Sequence, residues 1–66
     1  MKTGRYKHYK GNYYIVLGTA LHSETEEELV LYRSEKNEQL WVRPRQMFEE
    51  MVVVDGNEVE RFKWLE

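Results

Sequence analysis

The chain has 66 residues, of which 33% are charged and 14% aromatic, and its formal net charge is −2. This length suits one domain over residues 1–66, and the lack of cysteine excludes a disulfide, a thiolate nucleophile and a cysteine-based zinc site. Together with the absence of a signal peptide and of an apolar run of about 18 residues, it predicts a cytoplasmic protein that does not enter the membrane.

Three strands are predicted in the first half of the chain. Residues 4–9 alternate in polarity, a tight turn follows at Lys10–Asn12, and Tyr13–His22 is a long apolar strand that we expect to bend at Gly18. The spacing of Ser23–Glu28 also allows a helix that begins with a capping box. The β-prone residues 29–32 favour a polar turn and then a strand to about Arg33 instead.

The second half predicts two or three more strands and one helical turn. A strand over Gln39–Arg43 should end at Pro44, which has no N–H to donate and suits the start of a helical turn through Phe48. Met51–Val54 and Glu58–Trp64 are joined by the hairpin sequence Asp55–Gly56. The prediction is an all-β fold, a small SH3-like barrel of five or six strands with one short helical turn near Pro44–Phe48.

The strand before Pro44 places alternate side chains on opposite faces of the sheet. We expect Leu40 and Val42 to lie in the core, and Trp41 and Arg43 to be partly exposed on the other side. Under this prediction Leu40→Ala costs roughly 2–5 kcal/mol of stability and Trp41→Ala costs little. The alternative is that Trp41 is itself a core residue, since aromatic side chains dominate core packing.

Two histidines and a nearby carboxylate, His8, His22 and Glu24, are the candidates for metal binding or catalysis. Histidines at such positions more often cap turns or bond tyrosine hydroxyls. The chain has no glycine-rich phosphate loop and no nucleophile elbow, and it leaves little room for a water-excluding pocket. We therefore expect a protein that is not an enzyme and needs no cofactor or metal.

The first sixteen residues carry four basic side chains and no acid, interleaved with tyrosines between Arg5 and Tyr14. Such a pattern can stack bases and contact phosphates of single-stranded nucleic acid. The net charge of −2 restricts this to weak binding that falls steeply with salt. The alternative is that these tyrosines close the barrel and keep their hydroxyls solvated.

Several segments of the chain resemble the small bacterial family catalogued as domain of unknown function 1653. They are Gly4-x-Tyr6-x-His8-Tyr9-Lys10-Gly11-Asn12-x-Tyr14, Ala20-x-His22-Ser23-Glu24-Thr25-x-Glu27, Leu29-Val30-x-Tyr32-Arg33, Leu40-Trp41-Val42-Arg43-Pro44-x-x-Met47-Phe48 and Arg61-Phe62. The resemblance implies a short, stand-alone cytoplasmic protein, and it supplies no catalytic or binding residue to carry over.

These observations favour a non-enzymatic interaction module that binds a protein segment or small ligand through an aromatic and arginine surface. The predicted binding residues are Tyr9, His22, Glu24, Trp41 and Arg43. The alternative function is weak binding of RNA or single-stranded nucleic acid through the Arg5–Tyr14 face.

Overall fold

The computed structural model describes all 66 residues and contains seven strands and one helix of four residues. The strands are β1 (Gly4–His8), β2 (Tyr13–Leu21), β3 (Glu28–Ser34), β4 (Leu40–Pro44), β5 (Met51–Val54), β6 (Asn57–Glu60) and β7 (Phe62–Trp64), and the helix α1 is Arg45–Phe48. The all-β class and the single helical turn after Pro44 are thereby confirmed. At four residues, α1 is far from the length that a membrane-spanning helix needs, and there is no other helix.

Two antiparallel sheets make up the fold. Five strands pair in the order β4-β3-β2-β1-β7, and β5 and β6 form a separate hairpin. The larger sheet is open, because β4 and β7 each have one unpaired edge, so the barrel is not closed. The strand count is seven rather than five or six, because the predicted strand Glu58–Trp64 divides at Arg61 between the hairpin and the larger sheet.

Hydrogen bonds at Arg61 explain the division. Its N–H donates to the Glu50 carbonyl at 3.2 Å, and its carbonyl accepts from the Tyr9 N–H at 3.0 Å. One backbone position thus bonds the start of the hairpin on one side and the end of β1 on the other. The chain therefore leaves one sheet and enters the other within a single residue.

The structure also resolves the ambiguous stretch of the first half and shows where β2 bends. Residues 28–34 form β3, so the strand prediction prevails over the helix that the capping-box spacing allows. In β2, Val16 pairs with Tyr32 and Gly18 with the preceding residue of β3, which leaves Leu17 as a bulge. A bulge bends a strand, and it lies beside Gly18 as predicted.

The core lies on one face of the larger sheet, which we call the inner face. Its buried apolar members are Tyr6, Val16, Val30, Tyr32, Phe48 and Phe62. Helix α1 brings the Phe48 ring over this face, where it stacks on Phe62 with a centroid separation of 4.0 Å. Aromatic rings bury large areas, so six residues suffice for the core of a short chain.

The prediction that Leu40 and Val42 lie in the core is wrong. Cross-strand pairing with Arg33 and Leu31 places them on the opposite, outer face, where they are 51% and 58% exposed. No helix or second sheet covers that face beside β4, because α1 covers the inner face. Leu40 and Val42 do share one face of the strand, but that face is the uncovered one.

Candidate functional site

Strand β4 is an edge of the larger sheet and bonds only to β3. The hydrogen bond from the Ser34 N–H to the Gln39 carbonyl, at 2.9 Å just before β4, fixes which residues of β4 bond to β3. Because backbone groups alternate in direction along an antiparallel strand, those of Trp41 face β3 and those of Leu40 face away from the sheet. The same alternation turns every second residue of β4 outward.

The outward backbone groups belong to Leu40 and Val42. The Leu40 carbonyl accepts a hydrogen bond from the Gln39 side-chain Nε2 at 3.2 Å, in agreement with this direction. The N–H and carbonyl of Val42 have no strand beside them. Pro44, the last residue of β4, has no N–H, so the free edge ends there.

Trp41 and Arg43 project from the same edge strand onto the margin of the inner face. Trp41 pairs with Tyr32 and is 51% exposed, which confirms its predicted exposure. The Arg43 Nε donates to the Tyr32 hydroxyl at 3.5 Å, and its guanidinium carbon lies 5.8 Å from the Phe62 ring centre. An indole and a guanidinium therefore lie beside the free edge, and the guanidinium contacts the hydroxyl of the buried Tyr32.

Arg43 differs from the other four arginines in having no carboxylate partner. Arg5 pairs with Glu35 at 2.9 Å, whereas the others pair with acids at longer distances. Arg43 instead contacts two aromatic side chains, Tyr32 and Phe62. Its charge is therefore the one arginine charge in the chain that is left for an external anion.

His8 also borders the Phe62 ring, with a centroid separation of 4.8 Å. Its Nδ1 accepts the Lys10 N–H at 3.2 Å, which leaves Nε2 to carry the proton of the neutral ring. Burial lowers the pKa of His8 below its ordinary value of 6.5, and the positive charges of Arg43, Arg61 and Lys10 lower it further.

Tyr9 lies at the end of β1, away from Trp41, and lines a separate cleft of about 470 Å³ together with His8. The cleft runs between β1, β7 and the β5–β6 hairpin. Its lining includes lysines from the sheet and glutamates from the hairpin, namely Lys7, Lys63, Glu58 and Glu60. Tyr9 and the Trp41–Arg43 pair thus belong to two neighbouring surfaces, with His8 between them.

His22 and Glu24 lie in the turn between β2 and β3. The His22 Nδ1 accepts the backbone N–H groups of Glu24 and Thr25 at 3.1 and 3.4 Å, so it caps the turn. The turn adjoins Glu28, which lies four residues along β3 from Tyr32, the strand partner of Trp41. Four residues of a strand span about 13 Å, so the turn is at least that far along the sheet from Tyr32. The structure therefore does not bring His22 and Glu24 together with Trp41, nor does it gather three metal-ligating side chains anywhere.

The basic Arg5–Tyr14 face is largely neutralised or occupied by its own aromatic rings. Arg5 forms two hydrogen bonds to the Glu35 carboxylate, and its guanidinium carbon lies 4.2 Å from the Tyr13 ring centre. The hydrogen bond to Glu35 raises the pKa of Arg5. Lys7, which pairs across the strands with Lys63, has no carboxylate partner, and neither does Lys10.

Sequence reasoning missed Tyr32, Phe62 and His8 as neighbours of Arg43. The chain order separates Phe62 from Arg43 by two strands and a helix, so only the pairing of β7 with β1 brings it close. The free edge of β4 was also missed, because strand order within a sheet is not encoded in local periodicity.

The fold and this surface define a class: a small all-β domain in which an open antiparallel sheet is covered on one face by a helical turn. The chain belongs to the family of proteins of unknown function DUF1653, because the sequence model of that family matches residues 4–64. It is also similar to the crystal structure of a protein of that family from Bordetella bronchiseptica, at 29% identity and a TM-score of 0.92. That match covers 98% of this chain and 87% of the other. A comparison with curated proteins gave no match.

Proposed function

We propose that this protein is a non-enzymatic interaction module that binds an extended protein segment along the free edge of β4. The segment adds a sixth strand to the larger sheet, while Trp41 and Arg43 select its side chains. The observation that carries the proposal is an edge strand with three successive half-exposed apolar residues, Leu40, Trp41 and Val42.

The backbone of β4 suits this role. Strand addition obtains its affinity from main-chain hydrogen bonds to an exposed sheet edge. The N–H and carbonyl of Val42 and the N–H of Leu40 face away from β3 and are free to form such bonds. The Gln39 side chain, which bonds the Leu40 carbonyl, is exposed and can be displaced by a docking strand.

The side chains of β4 add selectivity on both faces. Trp41 and Arg43 flank the docked strand on the inner side, and residue types of this kind are enriched where interfaces are strongest. On the outer side, Leu40 and Val42 form one apolar surface with the half-buried residues Leu29 and Leu31 of β3. Natural sheets usually blunt their edges with charges or proline, and within β4 only Pro44 does so completely.

Selection from a library of displayed peptides tests the proposal, with Val42→Pro as the decisive variant. Proline at an edge position whose N–H faces outward spares the bonds to β3 but removes the donor that a sixth strand needs. Peptides selected on the natural protein should lose at least about tenfold in affinity for Val42→Pro. Val42→Ala keeps the N–H and is the matched control; equal binding by both variants would contradict strand addition.

A second candidate function is weak binding of single-stranded nucleic acid by Lys7, Lys63 and Tyr13. It is favoured by the direct pairing of two lysines and by the Lys7 ammonium, which lies 5.7 Å from the Tyr13 ring centre. A labelled oligonucleotide should bind at low salt and lose affinity on Lys7→Gln and Lys63→Gln. Binding that both variants leave unchanged would remove this candidate.

A cytoplasmic location and the lack of catalytic activity remain part of the proposal, supported by the absence of cysteine and by the turn-capping roles of both histidines.

A further inference from the structure

We propose that Arg43, Tyr32 and His8 form a binding site for one carboxylate group, supplied by an acidic side chain of the segment docked on β4. This rests on the proposed function and names the chemistry that the segment must carry. The Arg43 guanidinium bonds the Tyr32 hydroxyl, and His8 borders the same Phe62 ring as Arg43.

Arg43 is oriented for this role before any ligand arrives. Its Nε bonds the Tyr32 hydroxyl at 3.5 Å, so the two terminal nitrogens of the guanidinium are left free. Two terminal nitrogens can bind a carboxylate in a parallel, two-bond geometry. The Tyr32 oxygen accepts from Arg43, and its own hydrogen has no acceptor within the chain, so it can donate to the same anion.

His8 supplies a further donor. Its Nδ1 is occupied by the Lys10 N–H, so the neutral ring presents Nε2–H. The His8 ring and the Arg43 guanidinium both border Phe62, at 4.8 and 5.8 Å from its centre. The two groups are therefore separated by no more than the sum of these distances, and the positive charge of Arg43 acts on the His8 ring.

The charge balance favours a carboxylate over a phosphate. One guanidinium without an acidic partner, beside a neutral imidazole, matches a single negative charge. A phosphate monoester carries close to two negative charges at neutral pH and is usually held by several cations. The nearby Arg61 already faces Glu50 at 3.6 Å, and the net charge of the chain is −2, so a dianion would be poorly compensated.

Titration with sodium acetate, followed by nuclear magnetic resonance, tests the site without knowledge of the natural segment. Sodium chloride at the same ionic strength is the reference. Acetate should move the Arg43 Nε–H and His8 ring signals in a saturable way, and should leave the His22 ring signals in the far turn unmoved. Arg43→Gln should weaken acetate binding at least about tenfold, because a charge-assisted pair is lost.

Further variants separate charge from geometry. Arg43→Lys keeps the charge but loses the two-bond geometry, so its affinity should fall between the natural protein and Arg43→Gln. Arg33→Gln is the matched control, because Arg33 lies on the adjacent strand and faces Glu38 at 3.7 Å. Tyr32→Phe and His8→Gln should each weaken acetate binding by a smaller factor.

Three outcomes of the titrations would overturn the site: acetate shifts no larger than those with chloride, acetate binding that Arg43→Gln leaves unchanged, or inorganic phosphate binding more than about tenfold tighter than acetate. The library of peptides distinguishes this failure from that of the proposed function. Selected peptides that need the Val42 N–H but carry no acidic residue overturn the carboxylate site alone. Acetate binding without any selected peptide supports the site and contradicts strand addition.

Discussion

Val30 and Val42 lie on adjacent strands, and each occupies the middle of a regular alternating segment, yet Val30 is 0% exposed and Val42 is 58% exposed. The difference is the face of the sheet. The inner face carries α1 and the aromatic rings, whereas the outer face beside β4 has no covering element. Side-chain type and periodicity therefore set which residues share a face, but the helical turn after Pro44 decides which face becomes the core.

The largest effect that this comparison predicts is at Phe48, the helix residue that covers the inner face. Phe48 is 1% exposed and stacks on Phe62, so Phe48→Ala should lower the free energy of unfolding by about 3–5 kcal/mol. Its neighbour in α1, Met47, is 44% exposed, and Met47→Ala should change stability by less than about 1 kcal/mol. Urea denaturation of both variants measures the contrast, and equal losses would refute it.

The valine pair gives the next largest contrast. Val30→Ala removes the packing of two buried methyl groups and should lower the free energy of unfolding by about 2–3 kcal/mol. Val42→Ala should lower it by less than about 1 kcal/mol. The two substitutions are chemically identical, so intrinsic strand propensity largely cancels between them. A larger loss at Val42 in urea unfolding would mean that the outer face is covered in solution.

At the margin of the core, His8 links stability to pH. Burial and neighbouring positive charges lower the pKa of His8 in the folded chain below 6.5, its value in the unfolded chain. Between the two values the unfolded chain binds more protons, so stability is fully present above pH 6.5 and declines as pH falls towards the folded pKa. Urea midpoints over this range should fall with decreasing pH.

His8→Gln provides the control for that decline. It should flatten the part of the midpoint curve that belongs to His8, whereas His22→Gln should retain it. A decline of the same size in His8→Gln would assign the pH dependence to other groups.

The smallest effects are expected on the free edge itself. Leu40 and Trp41 are each 51% exposed, so replacing either with alanine should cost less than about 1 kcal/mol. For Leu40 this replaces the roughly 2–5 kcal/mol that its assignment to the core implied. Thermal unfolding of the two variants should give nearly equal midpoints; a markedly lower midpoint for Leu40→Ala would restore that residue to the core.

Much of the fold was predictable because the local signals were strong. The turn at Lys10–Asn12, the bend at Gly18, the hairpin at Asp55–Gly56 and the helical turn after Pro44 each depend on the backbone preferences of a few residues. The division of the last strand at Arg61 was not predictable, because residues 58–64 alternate without interruption and only tertiary hydrogen bonds to Glu50 and Tyr9 separate them.

The candidate site was predictable only in part. Trp41 and Arg43 could be grouped because they are two residues apart on one strand. Grouping Arg43 with Phe62 and His8 required the pairing of β7 with β1, a contact between distant segments that periodicity does not specify. His22 and Glu24 were grouped with them on residue type alone, and the turn-capping bonds of His22 account for its position instead.

Amide hydrogen exchange along β4 tests the central claim most directly, because it reads the direction of each N–H. In the free protein the N–H groups of Trp41 and Arg43 should be protected by their bonds to β3, whereas those of Leu40 and Val42 should exchange rapidly. Adding a peptide selected on the natural protein should protect Leu40 and Val42 specifically. Slow exchange at Val42 in the free protein, or no added protection with the peptide bound, would contradict strand addition at this edge.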